Sequence, residues 1–501
     1  MAEHDAVQAQ AVPDRRKRLV ILGICSMSLL IVGLDTTIVN VALPAIHRSF
    51  HSSLSGLQWT IDAYTLVLAS LLMLAGSTAD RVGRRRIFQI GLCTFSLGSL
   101  VCALAPSLGW LIAARVLQAI GGSMLNPVAM SIIRNVFEDP RERARAIGVW
   151  GAVFGISLSL GPVLGGALVD SVGWRAVFLV NVPVGLVAII LTAMFVPESR
   201  APHPRRIDVV GQVLVIVALA TLTYAIIEGP NNGWLSTETV ALFVVALAAF
   251  AILVPYELHR DQPLIEVRFF ASAPFSGASA IAICAFAGIG GFLFLNTLYL
   301  QLVRGLSPLD AGLSVLPLAV GTLFVSPLSG RLVSSRGSRL PLVGGSIAVI
   351  VSGLMLTQLT ATTPLALLLL SYLIYGVGFG LLNPPITNTA VSGMPASQAG
   401  VAAAIASTSR QVGATLGIAV LGSLAAGATA GAVGASFPAA THASWWVLVG
   451  LGVAALCLGI LTTTKWANET ARRTARRFEE DQFGVRVGDG ARRDGPELVT
   501  S

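Results

Sequence analysis

Fourteen stretches of this sequence, each about 18 to 25 residues long and nearly free of charge, are long enough at about 1.5 Å per residue to cross the apolar slab of a bilayer. They begin near Leu19, Leu57, Ile87, Trp110, Ala144, Arg175, Asp208, Thr239, Phe275, Leu309, Leu340, Pro364, Val401 and Ser444. Hydrocarbon offers no water to backbone N–H and C=O groups, so a spanning segment must satisfy them internally. The alternating pattern of barrel strands is absent, which leaves helices. At 54% hydrophobic and 12% charged residues, with a mean hydropathy of +0.78, the 501-residue chain carries too much apolar surface for a water-soluble fold. The expected fold class is an all-α, multi-pass integral membrane protein.

The 33 Lys and Arg residues test this count independently, because short cytoplasmic loops retain positive charge. Fourteen crossings place the clusters Arg15 to Arg18, Arg81 to Arg86, Arg134 to Arg145, Arg200 to Arg206, Arg260 with Arg268, Arg331 to Arg339, and those from Lys465 onward on one side. The other side receives Arg48, Arg175 and Arg304, while Arg115 and Arg410 fall within helices. Both termini are therefore expected in the cytoplasm. The net charge of +8 reports topology and attraction to anionic lipid rather than a nucleic-acid surface. The first apolar run is too long for a signal peptide and lacks a small-residue cleavage site, so it is expected to remain as a helix. All five cysteines lie in apolar segments without metal or redox spacing, and they read as packing residues.

An internal repeat divides the chain. GSTADRVGRRR at Gly76 recurs as GRLVSSRGSRL at Gly330, matching Gly83 with Gly337 and Arg85 with Arg339, but with Ser334 where the first copy has Asp80. The implied organisation is a cytoplasmic N-terminus (1–18), a six-helix bundle (19–198), two inserted spanning helices (199–260), a second six-helix bundle (261–465) and a cytoplasmic tail (466–501), partly helical or disordered. Two repeated bundles around a central path form a transporter architecture. The two lysines, Lys17 and Lys465, follow Arg and Thr, so a P-loop cannot occur and direct coupling to ATP is excluded. The cluster GVGFG at Gly376 lacks a preceding strand and suits close helix packing instead of a dinucleotide site. No cofactor is expected beyond a proton gradient, no metal, and no enzymatic activity.

Charge inside a span is expensive, so the deep charged residues are the first functional candidates. Asp35, Asp62 and Arg115 fall in the outer half of helices 1, 2 and 4 at similar depth. An arginine among two acids favours their charged forms, whereas removal from water favours the neutral ones. The balance makes these residues candidates for proton coupling; a static salt bridge that fixes helix register is the alternative. No Asp or Glu occurs between Asp310 and Glu469, so coupling must lean on the first half. Arg410 is the remaining deep charge, facing the cavity or snorkelling toward the cytoplasm.

Several separate motifs resemble the fourteen-helix drug:proton antiporter branch, family 2, of the major facilitator superfamily, over essentially the whole chain. They are LDTTIVNVALP at Leu34, GSTADRVGRRR at Gly76, RVLQAIGG at Arg115, WRAVFLVNVPVG at Trp174 and RQVGATLGIAVLG at Arg410. The antiporter signature of helix 5 is similar in Gly148, Gly161, Pro162, Gly165 and Gly166, with Ser157 where a further glycine is usual. The resemblance implies two six-helix bundles plus two inserted helices, exchange between inward and outward states through helix 5, and a conformational gate at Asp80, Arg81, Gly83 and Arg84. It also implies a role for Arg115 in the proton relay.

IDAYTLVLAS around Asp62 resembles multidrug members that export quaternary ammonium compounds and dyes, although their further carboxylates in helices 10 and 13 have no counterpart here. The expected function is proton-coupled antiport that exports amphipathic drug-like molecules, with lipophilic cations the expected substrates, across the bacterial inner membrane. Export of one endogenous product, such as an antibiotic or lipid, is the rival, and a receptor or membrane enzyme a remote one. Candidate cavity residues are Asn40, Trp59, Tyr64, Phe292, Asn296, Tyr299, Tyr375, Asn383 and Arg410. The expected partners are the bilayer, the substrate and protons, with no nucleic acid, in a monomer.

Overall fold

The computed structural model describes residues 14–201, 207–260, 262–392, 398–429 and 436–483. Among them no strand occurs, and fourteen helices are long and apolar enough to cross a membrane by length and composition. They are α1 (Arg15–Phe50), α2 (Leu54–Val82), α3 (Arg84–Ala103), α4 (Leu108–Val136), α5 (Pro140–Ser171), α6 (Ala176–Phe195), α7 (Val209–Asn232), α8 (Thr237–Leu258), α9 (Ala273–Val303), α10 (Pro308–Arg336), α11 (Arg339–Leu356), α12 (Leu365–Val391), α13 (Val401–Ala428) and α14 (Phe437–Leu461). Each corresponds to one apolar stretch of the sequence. The ends move outward where polar residues continue a helix: α1 runs on to Phe50, and α14 begins at Phe437 rather than Ser444. Caps fix several starts, with the side chains of Ser53, Ser107, Asp139, Asp208, Ser236 and Ser307 accepting from backbone N–H groups of the first turn.

Helix packing sorts the spans into two bundles, α1–α6 and α9–α14, with α7 and α8 paired to each other. The inserted pair sits on the seam between the bundles, where α7 touches both α2 and α13. Trp59 donates to Glu228 at 2.8 Å, and Gln212 to the Ser70 carbonyl at 2.7 Å, which ties the insert to α2. Leu247 of α8 and Met194 of α6 are 71% and 68% exposed, an outward apolar surface that fits lipid. The repeat is real at its turns: Gly83 and Gly337 both take positive φ, +130° and +80°, between α2 and α3 and between α10 and α11. A side chain is strained in that region, so glycine is needed there. A fifteenth helix, α15 (Lys465–Phe483), begins the tail and packs Phe478 against Phe269, with ring centroids 5.1 Å apart. The rest of the tail lies outside the described residues.

The bundles meet most closely on the side opposite the N-terminus, here the far side; the other is the basic side. Gln58 donates to the Ile418 and Ala419 carbonyls at 2.9 and 3.0 Å, Gln301 to the Val41 carbonyl at 2.9 Å, and the Leu309 N–H to Asp170 at 3.0 Å. Helix α5 runs along this seam. A Cβ on Gly165 would meet the Ile38 carbonyl oxygen of α1 at 3.0 Å, and one on Gly166 would meet the Pro308 carbonyl oxygen at the start of α10 at 2.5 Å. Toward the basic side the same helix turns Gly148 and Gly151 to open space, and the polar contacts there stay within one bundle: Arg18 with Glu142, Arg84 with Asp80, Asn388 with Ser338. The molecule is closed on the far side and parted along α5 on the basic side. Replacing Gly166 by Val should wedge this closure at a cost of about 1–3 kcal/mol, typical of overpacking. The expected result is a lower thermal unfolding midpoint and faster maleimide labelling of a cysteine placed at Gln58. Gly148→Ala, which meets nothing, should leave that midpoint unchanged.

Candidate substrate and proton site

Three of the helices that carry deep charge meet inside the first bundle. Arg115, 0% exposed on α4, donates through Nη1 to Asp35 of α1, also 0% exposed, and to Gln118 Oε1 at 2.6 Å. Its Nε donates to the Thr60 carbonyl of α2 at 3.1 Å. Asp35 accepts further bonds from Gln118 at 2.8 Å and from Asn181 of α6 at 3.2 Å, and both amides also donate to Ser99 of α3. One guanidinium therefore joins α1 and α2 to its own α4, while Asn181 adds α6 through Asp35 and Ser99 adds α3. The ring of Tyr64 lies under it at 4.1 Å. A buried ion pair depends on such partners for its remaining donors and lone pairs; here Nη2 alone is buried without one.

Asp62 stands apart from that pair. It is also 0% exposed, yet its Oδ1 accepts a single side-chain bond, from Thr65 one turn along α2 at 3.2 Å, and its Oδ2 has no partner. Among the described residues no cation pairs with it. Thr65 in turn accepts at 2.9 Å from Thr415 of α13, in the other bundle. A carboxylate so placed has lost water without gaining a counter-ion, which costs several kcal/mol for the ionised form and far less for the acid. Sequence position put all three charges at one depth; helix rotation separates them into a neutralised pair and a lone acid. Thr65, Thr415, Gln118, Ser99 and Asn181 escaped the sequence reading. Gln118 lies three residues from Arg115, so its place on the same helix face was the one available signal.

The residues expected to form a gate lie in a strapped turn. Asp80 accepts from Arg84 at 2.9 Å, and its carbonyl accepts from the Ala201 N–H. Arg81 is exposed. A Cβ on Gly83 would strike the Glu198 carboxylate at 2.6 Å, and Glu198 accepts from the Arg85 N–H. On α5, Gly161, Pro162, Gly165 and Gly166 face α1 or α10, whereas Gly148 faces open space.

The nine cavity candidates are not brought around one space. Trp59 turns to the insert, and Tyr64 lies within the first bundle beneath Arg115. Phe292 stacks on Tyr375 at 4.4 Å, and Asn296 accepts from Tyr372 at 2.6 Å, which places all three candidates in the packed interior of the second bundle. Tyr299 donates to the Thr360 carbonyl near the far side. Asn40 keeps an unpartnered, buried Oδ1. Asn383 is half-buried on α12, one turn from Thr387, which accepts from Arg410 Nη2.

The family profile described as Major Facilitator Superfamily matches residues 25–418. Among curated proteins, the multidrug resistance protein Stp of Mycobacterium tuberculosis is 39% identical over 82% of this chain and 76% of its own. The tetracenomycin C resistance and export protein of Streptomyces glaucescens is 37% identical over 80% and 74%, and the multidrug efflux pump LfrA of Mycolicibacterium smegmatis 36% over 81% and 80%. Among solved structures, a bacterial homologue of the human lysosomal transporter Spinster, inward-facing and unoccupied, shares the fold with a TM-score of 0.63 at 19% identity, covering 94% of this chain and 99% of that one.

The packing around Arg115 generates a sharp expectation. Arg115→Gln leaves Asp35 buried without its cation and should destabilise the protein by about 3–5 kcal/mol. Thermal unfolding in detergent reads the loss, and the double variant Asp35→Asn/Arg115→Gln should recover much of it. Equal midpoints for native and Arg115→Gln would show that the pair contributes nothing to stability.

Proposed function

The chain belongs to the Major Facilitator Superfamily, and we propose that it is a proton-coupled antiporter that exports amphipathic drug-like molecules across the inner membrane. The basic side is the cytoplasm, so the parted seam along α5 receives substrate from within, and the far side faces outward. The protein works as a monomer without cofactor, and the proton gradient drives it.

The observation that carries this reading is Asp62: a buried acid without a cation, joined through Thr65 to Thr415 of the opposite bundle. It lies eight residues into α2 from the far side, about 12 Å along the axis. When the far-side closure opens, a proton from outside reaches it; when the basic side opens, the substrate's donor or cationic end competes for it. Mutual exclusion at one carboxylate is what antiport requires. The Thr65–Thr415 bond crosses the interface that must rearrange, so the state of Asp62 is felt by both bundles. Asp35 and Arg115 hold the scaffold that fixes α2. On closure of the basic side, Asp80 exchanges Arg84 for the opposite bundle, as the family resemblance implies.

Relatives named for multidrug resistance support a broad substrate range, and one named for tetracenomycin C resistance and export supports a single product. The test is ethidium transport in inverted membrane vesicles energised by a pH gradient. Native protein should accumulate the dye and lose it on adding an uncoupler. Asp62→Asn should cut uphill transport about tenfold or more, the scale of losing an essential proton acceptor, while ethidium counterflow persists. Undiminished uphill transport by Asp62→Asn would overturn the role given to this residue.

A further inference from the structure

With Asp35 neutralised by Arg115, one deep charge remains in the second bundle, and nothing there balances it. The helices α9–α14 hold a single carboxylate, Asp310, in the first turn of α10 at the far side. Arg410 lies near the opposite end, ten residues into α13. Its Nη2 donates to Thr387 of α12, the ring of Phe286 of α9 lies 5.8 Å from its guanidinium carbon, and its Nε is buried without a partner. Thr387 is exposed, so this meeting point of α9, α12 and α13 is reached from outside the packed interior, in the basic-side half of α13.

A half-buried guanidinium beside an aromatic ring, with Nε buried and unpartnered, is an incomplete ion pair. A snorkelling arginine would keep its donors in water, whereas this one buries Nε and fixes Nη2 on a hydroxyl. Its planar fork suits a carboxylate, sulfonate, phenolate or phosphate, and the hydrophobic ring beneath suits the body of an amphiphile. We propose that Arg410 binds an anionic group of the exported molecule, so that the transporter prefers amphiphiles bearing an acid over neutral ones of the same body. This rests on the export reading and narrows its substrate class.

The arrangement is compatible with antiport because of its spacing. Arg410 is five residues from Thr415, and Asp62 three from Thr65 on the other side of that bond, an axial separation of about 12 Å. An acid bound at Arg410 alone would favour, not oppose, a proton on Asp62. Exclusion therefore has to come from the substrate's other end, a donor or cation reaching Asp62, and a drug-sized molecule spans that length.

The test uses two probes with one aromatic body, 8-anilinonaphthalene-1-sulfonate and uncharged N-phenyl-1-naphthylamine, bound to the purified full-length protein in phosphatidylcholine nanodiscs with empty discs subtracted. Native protein should prefer the sulfonate, and Arg410→Gln should reduce that preference about tenfold or more, the scale of one charge-assisted contact. Arg410→Lys, which keeps a point charge without the fork, should retain part of it and carries the comparison if the Gln variant fails to fold. Repeating the titration with phosphatidylglycerol in the discs separates sources of the acid: a lost sulfonate preference assigns the site to a lipid headgroup, an unchanged one to a free amphiphile. No sulfonate preference in native protein, or equal weakening of both probes in Arg410→Gln, would overturn the proposal and leave Arg410 a packing residue. Transport is read separately; native vesicles that move neither probe would count against export while the binding comparison stands.

Discussion

The ion pair between Arg115 and Asp35 is the interaction from which the rest of the first bundle takes its geometry. In hydrocarbon a charge is costly unless it is paired and hydrogen-bonded, and this guanidinium finds partners for Nε and Nη1 on α1, α2 and α4, while Nη2 stays buried over the Tyr64 ring without one. Asn181 brings α6 to the same carboxylate, and Ser99 brings α3. Because the bond to the Thr60 carbonyl fixes the rotation of α2, it also determines where Asp62 points: away from the arginine and toward α13. A single buried pair thus consumes one acid in structure and leaves the other without a counter-ion.

Small residues set how the bundles can move against each other. Where α5 meets α1 and α10, Gly161, Gly165, Gly166 and Gly312 admit backbones so close that a Cβ would collide with a neighbour. Contacts of this kind gain dispersion at short range and lose it abruptly when the helices part, so they favour two discrete arrangements over a continuum. Gly148 and Gly151, on the same helix but facing open space, are the matching surface left unused in this arrangement.

The spans were legible because hydropathy and length alone decide what can cross a bilayer, and fourteen apolar runs became fourteen helices. The turns were legible too, since Gly83 and Gly337 occupy equivalent positive-φ positions in the repeat. The grouping of charges was not. Depth along a helix follows from counting, but rotation about its axis is set by partners on other helices, and Asn181 and Ser99 are polar residues whose spacing points to nothing in particular. Trp59 illustrates the same limit: an aromatic in an outer turn reads as a cavity wall, yet Glu228 of the inserted pair accepts its N–H.

The two bundles share a fold but not a chemistry. The first carries Asp35, Asp62 and Asp80, while the second has Ser334 in place of Asp80 and no acid along α11 to α14. A proton carrier must sit where a carboxylate can lose and regain its proton as its surroundings change, and the deep carboxylates belong to the first bundle, Asp310 of the second lying at the far-side start of α10. A permanent cation such as Arg410 cannot serve that role in the accessible pH range. Duplication therefore leaves the copies free to divide the work: on the mechanism proposed above, the acid-bearing half would exchange protons and the half with the unbalanced arginine would select what is carried, while the Thr65–Thr415 bond spans the interface between them.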